Sequence, residues 1–173
     1  AARAEGYRLR FWEGTTPGEV LGELAALLGA ANGGTAGDAV FGPGFVRDRQ
    51  AARAARRITT WTLCAVAPGG RLAGYTEVLL PAWRPWIGLQ DDTGVDPAHR
   101  GKGLARWLKA DMLRRLLAGR LQVDRVETWN AADNATIGSI NAALGFRTVD
   151  VETSWQADAA RVLSALESGR APR

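Results

Sequence analysis

Asp91-Asp92-Thr93-Gly94-Val95-Asp96-Pro97-Ala98-His99-Arg100-Gly101-Lys102-Gly103-Leu104-Ala105 decides how this chain folds. The stretch ahead of it, from residue 86, is apolar and reads as a strand running to Val95. After it, Leu104, Leu108, Met112, Leu113, Leu116 and Leu117 recur at helical spacing, predicting a buried stripe on a helix over 102–118. Two glycines stand between strand and helix. Gly101 and Gly103 let backbone come close to a ligand with no Cβ in the way. The amides of 101–106 can converge as a nest, with the positive end of a helix dipole behind them. Arg100 and Lys102 add charge. Such a turn suits a pyrophosphate. It lacks the third glycine of a dinucleotide fingerprint, and Gly-Lys is not followed by Ser or Thr as a P-loop requires. The bland alternative is an ordinary strand-to-helix turn.

Working outward, the segments before the turn read β-α-α-β-β. Residues 7–12 alternate as a strand. Thr16-Pro17-Gly18-Glu19 has capping-box spacing for a helix ending near Gly29. Residues 32–44 form a long loop, and 46–57 a charged, Ala-rich helix whose arginines read as a solvated face. Residues 58–67 and 71–80 form a hairpin around Pro68-Gly69-Gly70. Beyond the central helix, 123–129 reads as a strand parallel to 86–95 through a right-handed crossover. A helix over 132–144 follows, capped by Asp133 and stopped by Gly145. A last strand over 146–155, a short helix over 158–166 and a frayed end complete the chain. The expected class is α/β (α+β): a mixed sheet of about six strands with helices on both faces. One domain spans 1–173, with its core in 7–155 and a C-terminal helix and tail in 157–173.

Composition narrows the function. Twenty-two Lys and Arg against 18 Asp and Glu leave a net +4 without a basic, aromatic stripe, so no nucleic-acid partner is expected. No apolar run reaches the ~18 residues of a membrane span, and no signal peptide opens the chain. The single cysteine, Cys64, excludes an internal disulfide and fits a reducing, cytoplasmic setting. No Cys/His set has zinc spacing, so no metal is expected. The chain does not begin with Met, which allows Ala1 to be an internal boundary.

Two adjacent parallel strands that both end at one sheet edge, each feeding a helix, can splay to admit an extended ligand. Asn130 and Asn134 would stand at that mouth, although Asn also serves turns and caps well.

At this point the residues resemble a known family. Arg100, Gly103 and Ala105 match the acyl-CoA signature Arg/Gln-x-x-Gly-x-Gly/Ala of the GNAT N-acetyltransferase superfamily. The stretch from Asn134 to Gly145-Phe146 resembles its Asn…Tyr…Gly-Phe helix. Asp92-Thr93…Val95…His99-Arg100-Gly101, with Thr128-Trp129-Asn130-Ala131, further resembles an actinobacterial branch that often carries two GNAT halves in one chain. The resemblance implies acetyl-CoA as donor and the amine of a small molecule as acceptor, joined by direct attack in a ternary complex. Thr93 and Val95 would pair with the pantetheine, and their strand N–H groups would stabilise the oxyanion. Arg100, Gly101, Lys102, Gly103, Leu104 and Ala105 would hold the pyrophosphate, and Asn130 and Asn134 the arm. A second GNAT half or a homodimer would be the protein partner. The acid position departs from the family: the usual Tyr falls at Asn141, which cannot protonate a leaving thiolate. Tyr75 is a possible substitute.

For the base, counting back from Val95 by strand alternation puts Thr93 and Asp91 on one face, and a bulge would exchange Asp91 for Asp92. Glu77 on the neighbouring strand is the third candidate. His99 lies at the phosphate end and reads as structural, Cys64 as core. Trp83 and Trp86 could line an acceptor pocket or simply pack. Two other functions stay open: Asn141 leaves room for an acyl-CoA-binding module that regulates or scaffolds a partner domain, and the open loop at 32–44 permits a protein or peptide acetyltransferase.

Overall fold

A computed structural model describes residues 6–31, 41–119 and 122–167. Five strands form one sheet in sequence order: β1 (Arg8–Glu13), β2 (Ile58–Val66), β3 (Leu72–Pro81), β4 (Ile87–Val95) and β5 (Arg125–Thr128). The first four pair antiparallel and β4–β5 pair parallel. This is the expected mixed sheet with its parallel pair.

Strand alternation sends β2 to two separate cores. Trp61, Leu63 and Ala65 meet the stripe Leu104, Leu108, Met112 and Leu116 of α3 (Leu104–Gly119) on one face. Cys64 and Tyr75 meet Leu24, Leu28 and Val46 of α1 (Leu21–Ala31) and α2 (Pro43–Ala55) on the other. Leu117, expected in the stripe, is exposed, because it falls a quarter-turn past Leu116.

Several local expectations are corrected. Thr16 does not cap a helix: its Oγ1 accepts from Trp12 Nε1 (3.3 Å) and Gln50 Nε2 (2.7 Å), and a 3₁₀ turn (Gly18–Val20) leads into α1. The expected loop at 32–44 lies outside the described residues over 32–40, and Pro43 and Gly44 already belong to α2. The cap of α4 (Ala135–Ala143) is Asn134, whose side chain accepts from the Ile137 N–H, and not Asp133.

The sixth strand does not form. Residues 146–158 carry no strand, and Val149, Val151 and Trp155 are exposed. An alternating apolar pattern makes a strand only where a sheet edge of matching length takes it up, and β5 is four residues long. The terminal helix α5 (Ala159–Glu167) is present, with Leu163 and Leu166 exposed.

Candidate active site

The site begins with a miscount in the β3–β4 ladder. Thr76 pairs with Thr93 and Val78 with Gln90, so Glu77 alone faces both Asp91 and Asp92. This is a β-bulge, and it turns two successive side chains to one face. Both aspartates reach α2. Beyond them the phase is inverted: Thr93 Oγ1 meets Thr76 Oγ1 (2.7 Å), and Val95 packs into the core beside α3. The expectation that Asp91 shares a face with Thr93 and Val95 is therefore corrected, because the bulge breaks the alternation between them.

Gln90 holds this geometry and was not singled out from the sequence. Its Nε2 donates to the Glu77 carbonyl (2.8 Å), which faces the bulge, and to Thr76 Oγ1 (2.9 Å). Only a side-chain amide at this register could do both, and nothing in the local sequence marks that register.

The bulge also marks where the parallel strands part. β5 pairs with β4 only from Ile87 to Gln90, and Thr128 Oγ1 donates to the Gln90 carbonyl (3.1 Å) at the last rung. From Asp91 to Val95, β4 runs on beyond the end of β5. Its main-chain groups on that side are open to an extended ligand that pairs as a strand would.

The glycine turn closes the far end of this fork. Asp96 caps a 3₁₀ turn (Pro97–His99) by accepting from the Ala98 N–H, and Arg100 Nε donates to the Val95 carbonyl (3.3 Å). Gly101 and Gly103 both take φ +76°, a conformation that favours glycine. They lead into Leu104, Ala105 and Arg106, whose N–H groups begin α3. His99 Nδ1 meets the Tyr7 hydroxyl at 2.7 Å, and the Lys102 ammonium lies over the Tyr7 ring. Tyr7, the residue before β1, thereby contacts both His99 and Lys102 of the turn.

The electrostatics centre on Glu77, which is 0% exposed. Arg49 donates to Glu77 Oε2 (2.6 Å) and Asp92 Oδ2 (2.9 Å). Arg53, one helical turn on, donates to the same Glu77 oxygen (3.0 Å) and to Asp91 Oδ2. Thr62 Oγ1 donates to Glu77 Oε1 (3.3 Å). Burial pushes the Glu77 carboxyl above the usual range, against the pull of Arg49 and Arg53. Burial works against the charge of Arg49, but Glu77 and Asp92 outweigh it and push its pKa up. The three carboxylates come within 4.8 Å of one another and could hold a cation, but two guanidiniums already stand among them. The solvated face expected of the α2 arginines is corrected at Arg49 and Arg53, which turn to the carboxylates of the sheet. The signal available was their spacing, since residues four apart share one side of a helix.

The remaining candidates are separated by this geometry. Asp91 and Asp92 stand on the rim, their side chains 30% and 33% exposed, whereas Glu77 is sealed beneath them. Tyr75 is buried in the core beside α1 and α2, and burial with the charges of Asp92 and Glu77 pushes its hydroxyl far up. Asn141 Nδ2, at the acid position, donates to Oδ1 of Asn130, one of the two asparagines expected at the mouth (3.3 Å). Asn134 spends its side-chain oxygen on the cap. Cys64 is buried in the core. Trp83 and Trp86 are exposed in the β3–β4 turn, at the end of β4 away from the glycine turn. Among the described residues, four buried polar atoms near these groups lack a partner: Arg49 Nε, Tyr75 Oη, Gln90 Oε1 and Asn141 Oδ1.

A forked parallel pair, closed by a glycine turn and flanked by carboxylates, defines an acetyltransferase fold. The profile of the Acetyltransferase (GNAT) family matches residues 38–146, and the chain belongs to that family of acetyl-CoA-dependent N-acetyltransferases. It is similar to a tandem GNAT protein from the clavulanic acid biosynthesis pathway: 34% identity, TM-score 0.71, over 81% of this chain and 42% of that one. The chain thus spans less than half of that protein's length. The fold is shared with AAC(6')-Iy in complex with the bisubstrate analog CoA-S-monomethyl-acetylneamine (15% identity, TM-score 0.61, 87% and 99% covered). It is shared also with glucosamine-6-phosphate N-acetyltransferase from Arabidopsis thaliana (15%, 0.59, 88% and 99%). No curated protein sequence matches the chain. No helix among the described residues is long and apolar enough to cross a membrane.

Proposed function

We propose that this chain, as one GNAT unit, transfers an acetyl group from acetyl-CoA to the primary amine of a small molecule. The observation that carries this reading is the bulge, which opens the fork and puts two rim carboxylates beside it. In this reading the pyrophosphate lies on the turn from Arg100 to Ala105, and the pantetheine pairs with β4 at Thr93 to Val95. Acetyl-CoA supplies the activated acyl group. The chain's own residues orient the amine, remove its proton and offer β4 N–H groups to the carbonyl oxygen.

Asp91 and Asp92 are the reachable bases. Each gives one carboxylate oxygen to an arginine and keeps the other. Glu77 acts beneath them as a charge that keeps the arginines in place. No side-chain acid is assigned to the thiolate. A thiol with a pKa near ~8.5 leaves as thiolate or takes its proton from water.

A second reading has its own observation. Asn141, at the position of the acid, is tied to Asn130. That suits a domain that binds acyl-CoA and regulates a partner without turnover. Calorimetry with acetyl-CoA, followed by thiol release over an amine panel, separates the two. We expect binding, turnover of at least one amine, and a ~10²- to 10⁴-fold loss of kcat/KM in one of Asp91→Asn and Asp92→Asn. Binding without turnover would favour the regulatory reading, and two fully active variants would remove the rim carboxylates from the mechanism.

A further inference from the structure

We infer that Arg49 and Arg53 of α2 set the charge of the acceptor: this site takes a cationic amine that carries no anionic group beside the reacting nitrogen. The inference rests on the acetyltransferase reading above and narrows its substrate class.

The argument is a count of charges in a confined place. Above the raised pKa of Glu77, Glu77, Asp91 and Asp92 supply three negative charges, and Arg49 and Arg53 two positive ones. One negative charge is left over, and it belongs to the rim, because Glu77 shares a single oxygen with both guanidiniums. The other groups facing Glu77 add no charge: Thr62 from β2 is neutral, and burial holds Cys64 of β2 and Tyr75 of β3 in their protonated forms. An arriving ammonium therefore completes the neutralisation.

A carboxylate or phosphate next to that ammonium meets the opposite situation. It would face Asp91 and Asp92, and both guanidiniums that could receive it are already held by two carboxylates each. Like charges brought together in a partly buried site are strongly disfavoured. Arg49 Nε is buried and has no partner among the described residues. A single N–H of this kind donates to a neutral oxygen, such as a hydroxyl or ether, without adding a charge. The acceptor class is thus a polar amine with neutral oxygens or a second ammonium, and not a free amino acid reacting at its α-amine.

Arg49 and Arg53 act in this scheme as positioning residues. They tie the two rim aspartates to α2, one arginine to each, so that a carboxylate oxygen of one of them can take a proton from the acceptor. Through these two side chains α2 is tied to Glu77 and to both rim aspartates.

The test is kcat/KM on the unmodified chain over matched pairs of primary amines in which a carboxylate replaces an ammonium or an amide. Putrescine against γ-aminobutyrate, and amino-acid amides against the free acids, are suitable, each corrected to its neutral amine. We expect the anion-free member to be favoured about tenfold or more in every acetylated pair. Arg53→Gln adds a readout that a merely structural role would not move. With that positive charge gone, the acid limb of the kcat/KM–pH profile moves up by about one unit or more, and the preference for the cationic member widens. Arg53→Lys, which keeps the charge, restores both. Equal kcat/KM across the pairs, or a preference for the anionic members, would overturn the charge rule while leaving acetyl transfer intact. A panel with no acetylated member would overturn the acetyltransferase reading, and the charge rule with it.

Discussion

Gly94 shows how tightly single residues are constrained near the bulge. A Cβ there would stand 2.6 Å from Tyr75 Cε1 and 2.8 Å from Ala31 Cβ, in the core beneath α1. Tyr75 is fully buried and cannot give way cheaply, whereas Ala31 is exposed at the C-terminal end of α1. Gly94→Ala is expected to destabilise the fold by about 1–3 kcal/mol, read as a lowered denaturant midpoint with an unchanged m-value. Legibility at this scale followed how local the chemistry is. Gly101, Gly103 and Arg100 could be recognised because a turn into a helix is a property of neighbours in sequence. Arg49, Arg53 and Gln90 could not, because their partners lie 28, 24 and 13 positions away on other elements. Nothing in an Ala-rich, Arg-rich helix states which arginines will find carboxylates.

At the scale of elements, the sheet order and the helices could be read from periodicity, and the failures were failures of pairing. The segment 146–155 has the alternation of a strand, but alternation says only that a face is apolar, not that an edge exists to receive it. β5 is short, and α4 rests mainly on its own turns, with Asn141 its one buried residue. The Asn134 cap therefore carries an unusual share of the stability of α4. Asn134→Ala is expected to lower the protection of α4 amides by about 1 kcal/mol in hydrogen exchange, with little change in the global midpoint. An equal loss in β2 and β3 would show that α4 unfolds only with the whole.

The molecule as a whole has two cores, one on each face of a single sheet, and buried charges that set opposing pH slopes. The Glu77 carboxyl is raised above 4.5 by burial, so its contribution to stability is full below the unfolded pKa and is lost as pH rises through the folded one. Glu77→Gln removes that titration. The stability of the parent relative to this variant should therefore fall as pH rises from about 5, as followed by denaturant midpoints. A parent advantage that grows with pH would contradict it.

Lys109 contributes the opposite sign. It is 1% exposed, sits over the Phe146 ring, and burial lowers its pKa from 10.5 to about 8. A depressed base contributes stability above its unfolded pKa and loses it as pH falls through about 8. Lys109→Met should accordingly stabilise the chain at neutral pH by roughly 1–3 kcal/mol, and the gain should vanish toward the unfolded pKa.

The extra residue in β4 behaves like a frameshift for faces. Upstream of it and downstream of it the same even-odd rule holds, but with the labels exchanged. Homologous strands compared position by position will therefore assign a carboxylate to the wrong side whenever their bulges differ by one place. Moving this chemistry to another scaffold means moving the mismatch of Asp91 and Asp92 against Glu77 as a unit. Either aspartate transplanted alone into an unbroken ladder would keep its neighbours in sequence and lose them in space.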